Sequence, residues 1–446
     1  MKNFCLYFFL LLFPINAISA NTFLFMSYNV EQLYDNIDDE NIQDERFLTT
    51  ANPPYTDQMV NDKINNLATV ILSTSDNSYF GQGPDVISLV EVENLSILKK
   101  LASVLNSRLA SKPHYSAVFY SGDDISGINP GFLTKFPIIS SKAHKAHKKN
   151  KIWYLPSHSS YEQTPVYTVT RSILEVNLRI ESHAVTFFAN HWPAGQDSLD
   201  ILRQYECGKF LNQLIRDKLT ENPSSDIIVS GDFNSQPEDA ALIAGLNVDE
   251  LLSTVFSSTP ENPSLYGTSY DIYNKSGVKK IFFDTMKKFE TIKKTTNSWN
   301  TSILDTISKY YLNPALAQET IDRFILNNNT FNYKNFSTFQ NTLLDNVFAK
   351  RGTFFYWTDR QWSNLDSVLL TKTLFDSNSI DYIKNSYTIV RHEYMTFDNG
   401  KPLAFHKCKR PPEGGACMTK EDGTIIHQAG YSDHFPVTAS FKIFHN

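Results

Sequence analysis

The segment Gly231-Asp-Phe-Asn234 follows the apolar, β-branched run Ile227-Ile228-Val229. Such a run fits a strand covered on both faces. Residues two apart in a strand share a face, so Asp232 and Asn234 can point into one place. Gly, Asp and Asn are also turn formers, and taken alone the segment reads first as a turn. The same conjunction recurs elsewhere. Asn29 ends "FLFMSYN", Glu91 sits in "DVISLVEV", Asn190 and His191 end "AVTFFANH", Asp366 opens "DSVLLTK", and Asp433 and His434 precede "FPVTASFKIF". Buried charge is costly, so six apolar runs that each end in a carboxylate, amide or imidazole point to convergence. Four carboxylates in one cleft (Glu91, Asp232, Asp366, Asp433) would raise one another's pKa values. A divalent cation removes that conflict, and oxygen ligands with few carboxylates suit magnesium or manganese.

The elements that must carry these residues alternate along the chain. Between the first two strands, Val60, Ile64, Leu67 and Ile71 fall at helical spacing. "NLSILKKLASVL" has the same period, with Asn94 placed to cap it. "DSLDILRQYECGKFLNQLIRDKL" offers an apolar helical face that includes Leu202, Phe210 and Leu214. Strands with helices between them predict a layered α/β fold. From about 262 to 350 the chain is rich in Asn, Lys and Thr and loses the alternation, apart from a helical pattern in "PALAQETIDRFIL". That region reads as an insertion on one edge of the core domain, with an ordinary second domain as the other reading.

The chain has 446 residues, 13% aromatics and a formal net charge of −6. The core is sizeable, and the mild acidity gives no general pull toward nucleic acid or anionic membranes. A polyanionic substrate must therefore meet a metal or a local basic patch. "SKAHKAHKKNK", from Ser141, is such a patch, read either as a loop that tracks phosphates or as a solvated surface loop. Residues 1–20, "MKNFCLYFFLLLFPINAISA", read as a secretory signal peptide, although Ile18 is not a small residue and an uncleaved anchor is the alternative. No other segment is apolar enough to span a membrane. Of four cysteines, Cys5 leaves with the leader, Cys408 and Cys417 are placed to pair across a Pro- and Gly-rich loop, and Cys207 reads as a buried thiol.

In order and type, the chemical segments resemble the endonuclease/exonuclease/phosphatase superfamily. The matching positions are Asn29, Leu89-x-Glu91, Asn190-His191, Gly231 to Asn234, Leu365-Asp366 and Ser432-Asp433-His434. "NVEQLYD" and "NHWP" look most like its exported bacterial branch, and the resemblance spans residues 21–446 apart from the insertion. It implies an α/β (α+β) fold, a deoxyribonuclease I-like four-layer sandwich of two mixed β-sheets flanked by helices, with the active site at one rim. It also implies hydrolysis of a phosphate ester with Mg2+ (or Mn2+) bound by Glu91, Asn29 and Asp433. Asp232 would prepare the attacking water. Asn190 and Asn234 would donate to the phosphate oxygens. His434, oriented by Asp366, would contact the scissile phosphate, and His191 would be a second acid or phosphate-binding residue.

Two positions depart from the family pattern. Val90 stands where relatives often carry Gln. The carboxylate that pairs with the first histidine is not evident, with Asp123 and Asp124 as candidates. "YWTDR" faintly resembles the Trp-x-Asp-Arg box of inositol-polyphosphate 5-phosphatases, but "LDSVLL" continues as a strand, which favours Asp366. The leading expectation is a secreted or periplasmic nuclease acting on DNA or RNA as a monomer, without stable membrane association. The alternative is a phosphatase or phospholipase C-like hydrolase acting on inositol phosphates or sphingolipids. A non-catalytic descendant would have lost one of Glu91, Asp232, Asp366 or His434, and none is replaced.

Overall fold

The structure, a computed structural model, describes residues 22–110, 113–145, 151–154, 163–166, 171–195, 198–235, 241–242, 246, 265–267, 352–356, 361–383, 386–397, 401–407, 418–420 and 426–444. In chain order the elements are β1 (Thr22–Leu33), α1 (Asp57–Leu72), β2 (Val86–Val92), α2 (Leu95–Arg108), β3 (Ser116–Phe119), β4 (Asn129–Thr134), β5 (Ile138–His144), β6 (Lys151–Tyr154), β7 (Gln163–Val166), β8 (Ile173–Ile180) and β9 (His183–His191). They continue with α3 (Ser198–Glu221), β10 (Asp226–Asp232), β11 (Leu265–Gly267), β12 (Phe354–Tyr356), β13 (Gln361–Ser363), β14 (Asp366–Thr371), β15 (Ile380–Tyr382), β16 (Thr388–Ile389) and β17 (Val437–Ile443).

Two mixed sheets form the body. One runs β15-β17-β1-β2-β4-β3, with β16 also on β17, and the other runs β11-β14-β10-β9-β8-β5. Alternation along the strands builds the layers. On β1, Phe23 and Phe25 face Val176, Leu178, Phe187 and Ile228 of the second sheet, whereas Met26, Tyr28 and Val30 face the helices. Helices α1 and α2 cover that outer face through Val60, Ile64, Leu67, Leu98 and Leu101. On the far side, Phe188, Ile227 and Val229 meet α3 through Cys207, Leu211 and Ile215. The result is the expected four-layer sandwich.

Local signals account for the helices. Thr56 caps α1, and Asn94 caps α2 by accepting the Ile97 amide proton at 2.9 Å. The buried face of α3 sits slightly off the expected one, since Cys207, Leu211 and Ile215 are enclosed while Phe210 and Leu214 are half-covered. Cys207 is a fully buried free thiol whose pKa burial pushes well above the ordinary range. Within 262–350 only β11 is described, as an edge strand on β14. The leader, the "PALAQETIDRFIL" segment, Leu202's side chain, and Cys408 and Cys417 lie outside the described residues. No described helix is long and apolar enough to cross a membrane.

Candidate metal and phosphate site

Both sheets bring their chemistry to one rim. β1 and β2 run parallel, with Asn29 beside Val90, so Asn29 and Glu91 emerge together. β9 and β10 also run parallel, with Asp232 beside His191, and antiparallel β14 sets Asp366 opposite Asp232. The backbone is bent hard where it delivers them. Gly231 has φ +136, and a Cβ there would stand 1.8 Å from the Asn190 carbonyl oxygen, so only glycine fits. Glu31, Gln32, Glu91 and Asn234 all have positive φ without being glycine. Strain of this kind gathers where the surroundings hold functional groups in place.

Asp232 is the centre of the cluster. Its Oδ2 accepts from Asn29 Nδ2 at 2.9 Å and lies 3.7 Å from His434 Nε2 and 4.0 Å from His191 Nε2. Asn29 Nδ2 also donates to Glu91 Oε1 at 3.1 Å, and the Gln32 amide donates to Glu91 Oε2 at 2.9 Å. His191 Nε2 lies 3.6 Å from Glu91 Oε1. On the other side, His434 Nδ1 donates to Asp366 Oδ2 at 2.7 Å. Two groups therefore offer ligand atoms within 4.8 Å of one another, Glu91/His191/Asp232 and Asp232/Asp366/His434. The first suits a divalent cation on the chemistry of its donors, two carboxylates and one imidazole.

The surroundings shift the two imidazoles in opposite directions. Burial pushes His191 well below the usual histidine range, helped by nearby Arg171 and His434. Burial acts the same way on His434, but the Asp366, Asp433 and Asp232 carboxylates outweigh it and raise its pKa. Burial, opposed by His434 and aided by Asp366, raises the Asp232 carboxyl to about 6. Burial and the Glu31 carboxylate push Asp433 up as well.

Several of the expected site residues also serve the scaffold. Asn190 is fully buried; its amide donates to the Phe188 and Ser230 carbonyls at 3.2 Å and its oxygen accepts from the Trp192 indole, so it braces the floor of the site. Asn29 offers N–H, not oxygen, to Glu91 and Asp232, because its own oxygen accepts the Glu31 amide proton at 2.9 Å. In this arrangement it steadies the two carboxylates. Asp433 stands outside both convergent groups, 3.9 Å from His434 Nε2 and 37% exposed.

Asn234 mixes both readings of its segment. Its amide N–H closes a turn on Asp232 Oδ1 at 2.8 Å, and its side chain donates to the Trp192 carbonyl at 2.9 Å. Neither Asp123 nor Asp124 reaches His191: Asp123 pairs with Lys145 at 2.9 Å and Asp124 with Arg171 at 2.7 Å. The basic segment is not a free loop at its start. Ser141 to His144 complete edge strand β5, and His144 Nε2 lies 2.6 Å from Glu175 Oε2. Residues 146–150 and Asp359 of "YWTDR" lie outside the described residues, and Asp366 is the aspartate that reaches His434.

Sequence reading missed several neighbours. Thr353 Oγ1 accepts the Leu365 and Asp366 amides, each at 3.2 Å, and the Phe354 ring lies 4.6 Å from the His434 ring. Arg171 donates to the Trp192 carbonyl at 3.0 Å, beside His191. Lys63 of α1 is buried beside Glu31. Its signal was present, since it sits three residues after Val60 and four before Leu67 on the apolar stripe.

Comparison with known proteins adds the following. The model described as the Endonuclease/Exonuclease/phosphatase family matches residues 24–292. No curated protein matches the sequence. Similar solved structures include an endonuclease/exonuclease/phosphatase family protein from Bacteroides thetaiotaomicron, 12% identical, with TM-score 0.41 and coverage of 95% of this chain and 98% of that one. D. rerio TDP2 complexed with single strand DNA product is 11% identical, with TM-score 0.40 and coverage of 94% and 98%. The human Nocturnin catalytic domain with bound sulfate anion is 11% identical, with TM-score 0.39 and coverage of 95% and 96%.

Proposed function

The chain belongs to the endonuclease/exonuclease/phosphatase family, whose members hydrolyse phosphoesters, and on that premise we propose that it is a divalent-metal-dependent phosphodiesterase acting on nucleic acid. The carrying observation is the placement of Asp232 Oδ2 between the Nε2 atoms of His191 and His434, with Glu91 alongside.

Glu91 and neutral His191 would hold the cation, with Asp232 completing the group. A bound Mg2+ or Mn2+ supplies charge neutralisation at the phosphate and the leaving oxygen. Asp232 orients a water and takes its proton as the new P–O bond forms. The His434 imidazolium, fixed by Asp366, binds the phosphate and gives its Nε2 proton to the leaving oxygen as the ester bond breaks. Asn29 and Asn190 keep these groups in register.

Nucleic acid is favoured by where the basic segment leaves the sheet. His144 pairs with Ile173, and Leu174 pairs with Ala189, so His144 stands level with Asn190 and Lys145 follows it at the strand end. Lys145, half-exposed beside Asp123, puts a cationic side chain there that suits a phosphate backbone. One observation favours the lipid reading. Ile37 is 63% exposed and Ile125 is 60% exposed, on loops joined by the Gln43 amide to Ile125 carbonyl bond near the rim. Apolar loops beside such a site suit a phospholipid headgroup in a bilayer.

The test is purified protein with magnesium on single- and double-stranded DNA, RNA, phosphoinositide and sphingomyelin vesicles in parallel. Nucleic acid is the expected substrate. Turnover of vesicles alone would move the assignment to the lipid reading.

Export belongs to the same proposal, on the strength of residues 1–20. Exported protein is expected to begin near Asn21 and, after alkylation without reduction, to show one free thiol, on Cys207. Retention of the leader, or alkylation of Cys408 and Cys417 as well, would contradict it.

A further inference from the structure

Lys63 is 1% exposed, on the apolar face of α1. An enclosed ammonium is costly unless its protons find partners. Here Nζ donates to the Tyr431 carbonyl at 2.8 Å and to Glu31 Oε2 at 3.4 Å, and it stands 5.1 Å above the Phe405 ring. Glu31 Oε2 also accepts the Phe405 amide proton at 2.8 Å, so the carboxylate is fixed from two sides.

The same helix grips the neighbouring backbone. Asn66 Nδ2 donates to the Gly430 carbonyl at 2.8 Å and the Ala429 carbonyl at 3.3 Å. Asp62 Oδ2 lies 3.3 Å from His427 Nε2. Asp62, Lys63 and Asn66 thus hold residues 427–431, which lead directly into Ser432-Asp433-His434. The far end of that loop is tied to β1, where the Ser432 hydroxyl donates to the Asn29 carbonyl at 2.7 Å and accepts the His434 amide proton at 3.1 Å. His434 must hold its place between Asp366 and Asp232, and its backbone is located by these tethers.

We propose that Lys63 is a positioning residue for this hydrolysis. By joining Glu31 at the end of β1 to the Tyr431 carbonyl, it fixes where the Asp433–His434 loop stands over Asp232. The proposal rests on the functional reading above for its kinetics, but not for its structural half. A lysine with a merely structural role would affect melting without loosening this loop selectively. Burial lowers the Lys63 pKa, and the Glu31, Asp433 and Glu91 carboxylates oppose it, a balance that an uncharged replacement removes.

The experiment compares the full chain with Lys63→Met, Lys63→Gln and Asn66→Ala by hydrogen exchange and by steady-state kinetics on the best substrate. In Lys63→Met, amide exchange across 427–435 is expected to speed by about tenfold or more while β9 and β10 stay protected. Its kcat is expected to fall by about thirtyfold with KM changed by less than about threefold, the mark of misplacement rather than lost binding. Lys63→Gln keeps a donor for Tyr431, so it should regain the protection and only part of kcat. Asn66→Ala should loosen 427–431 with a smaller loss of kcat.

Wild-type kcat in Lys63→Met, or lost kcat with 427–435 as protected as before, would overturn the proposal. If Lys63→Met does not fold, the other two variants decide, and unchanged exchange and kcat in both would be equally fatal. A wild type that turns over no phosphoester defeats the functional reading instead, while the exchange comparison still judges the tether.

Discussion

The His191 and His434 sides of the site are built from the same parts and end in opposite states. Both rings are buried, and both place Nε2 within 4.0 Å of Asp232 Oδ2. His434 has Asp366 on Nδ1, whereas His191 Nδ1 has no hydrogen-bond partner among the described residues. Burial pushes both rings toward the neutral form, and the Asp366, Asp433 and Asp232 carboxylates reverse that direction at His434 alone. A cationic ring suits an anionic phosphate and a leaving group; a neutral ring suits a cation. Asp232, shared by both, is the residue whose loss should collapse the distinction.

Asp232→Ala is accordingly expected to have the largest effect, a loss of about three orders of magnitude or more in kcat, with a folded protein by circular dichroism. His434→Ala should approach it. Asp366→Asn keeps the ring but removes the charge that holds it protonated, and a loss of about a hundredfold is expected. If Asp366→Asn were as active as wild type, the asymmetry between the two rings would have no catalytic meaning. Titration calorimetry with Mn2+ comes next. Cation binding must displace the proton that burial favours on Asp232, so affinity should rise by up to about tenfold per pH unit below pH 6 and then flatten. Affinity independent of pH would contradict the placement of Asp232 beside the cation.

Smaller still is Asn234→Ala, expected to cost about tenfold, below the scale of losing a phosphate donor, because its amide already serves the Trp192 carbonyl. The smallest effects concern stability. His434 has a raised pKa, so its contribution is full below about pH 6.5 and is lost as pH rises through its higher folded value. His191 has a lowered pKa, so its contribution is present above about pH 6.5 and is lost as pH falls through its lower folded value. Denaturation of His434→Asn and His191→Asn at pH 5 and pH 8 should show opposite trends relative to wild type. Parallel trends would mean that the two environments are not distinct.

Much of this was legible before the structure, for physical reasons that differ by residue. Alternation along β1 and β10 and the helical spacing of α1 are local, and so is the Asn94 cap; the layers follow from them. Asp232, Asp366 and His434 could be named because strands that end in ionisable residues are costly unless those ends meet. The roles of Asn29 and Asn190 were not legible, since which carbonyls an amide serves depends on strands far away in the chain: Asn29 meets Asp232 across 203 positions. Lys63 joins Tyr431 across 368 positions, and only its misplaced charge on an apolar stripe hinted at it. The two-residue coupling of Asp232 and Asn234 was ambiguous because both readings are true at once, a turn that also aims a carboxylate.

The central claim is that a cation held beside Asp232 enables phosphodiester cleavage. The most direct test is single-turnover cleavage of a labelled single-stranded oligonucleotide by purified wild-type protein and by Asp232→Ala, each with magnesium, with excess chelator, and with manganese restored. The account predicts cleavage by wild type with either metal, none measurable in chelator, and none by the folded variant under any condition. Cleavage that persists undiminished in chelator, or in Asp232→Ala with magnesium, would contradict it.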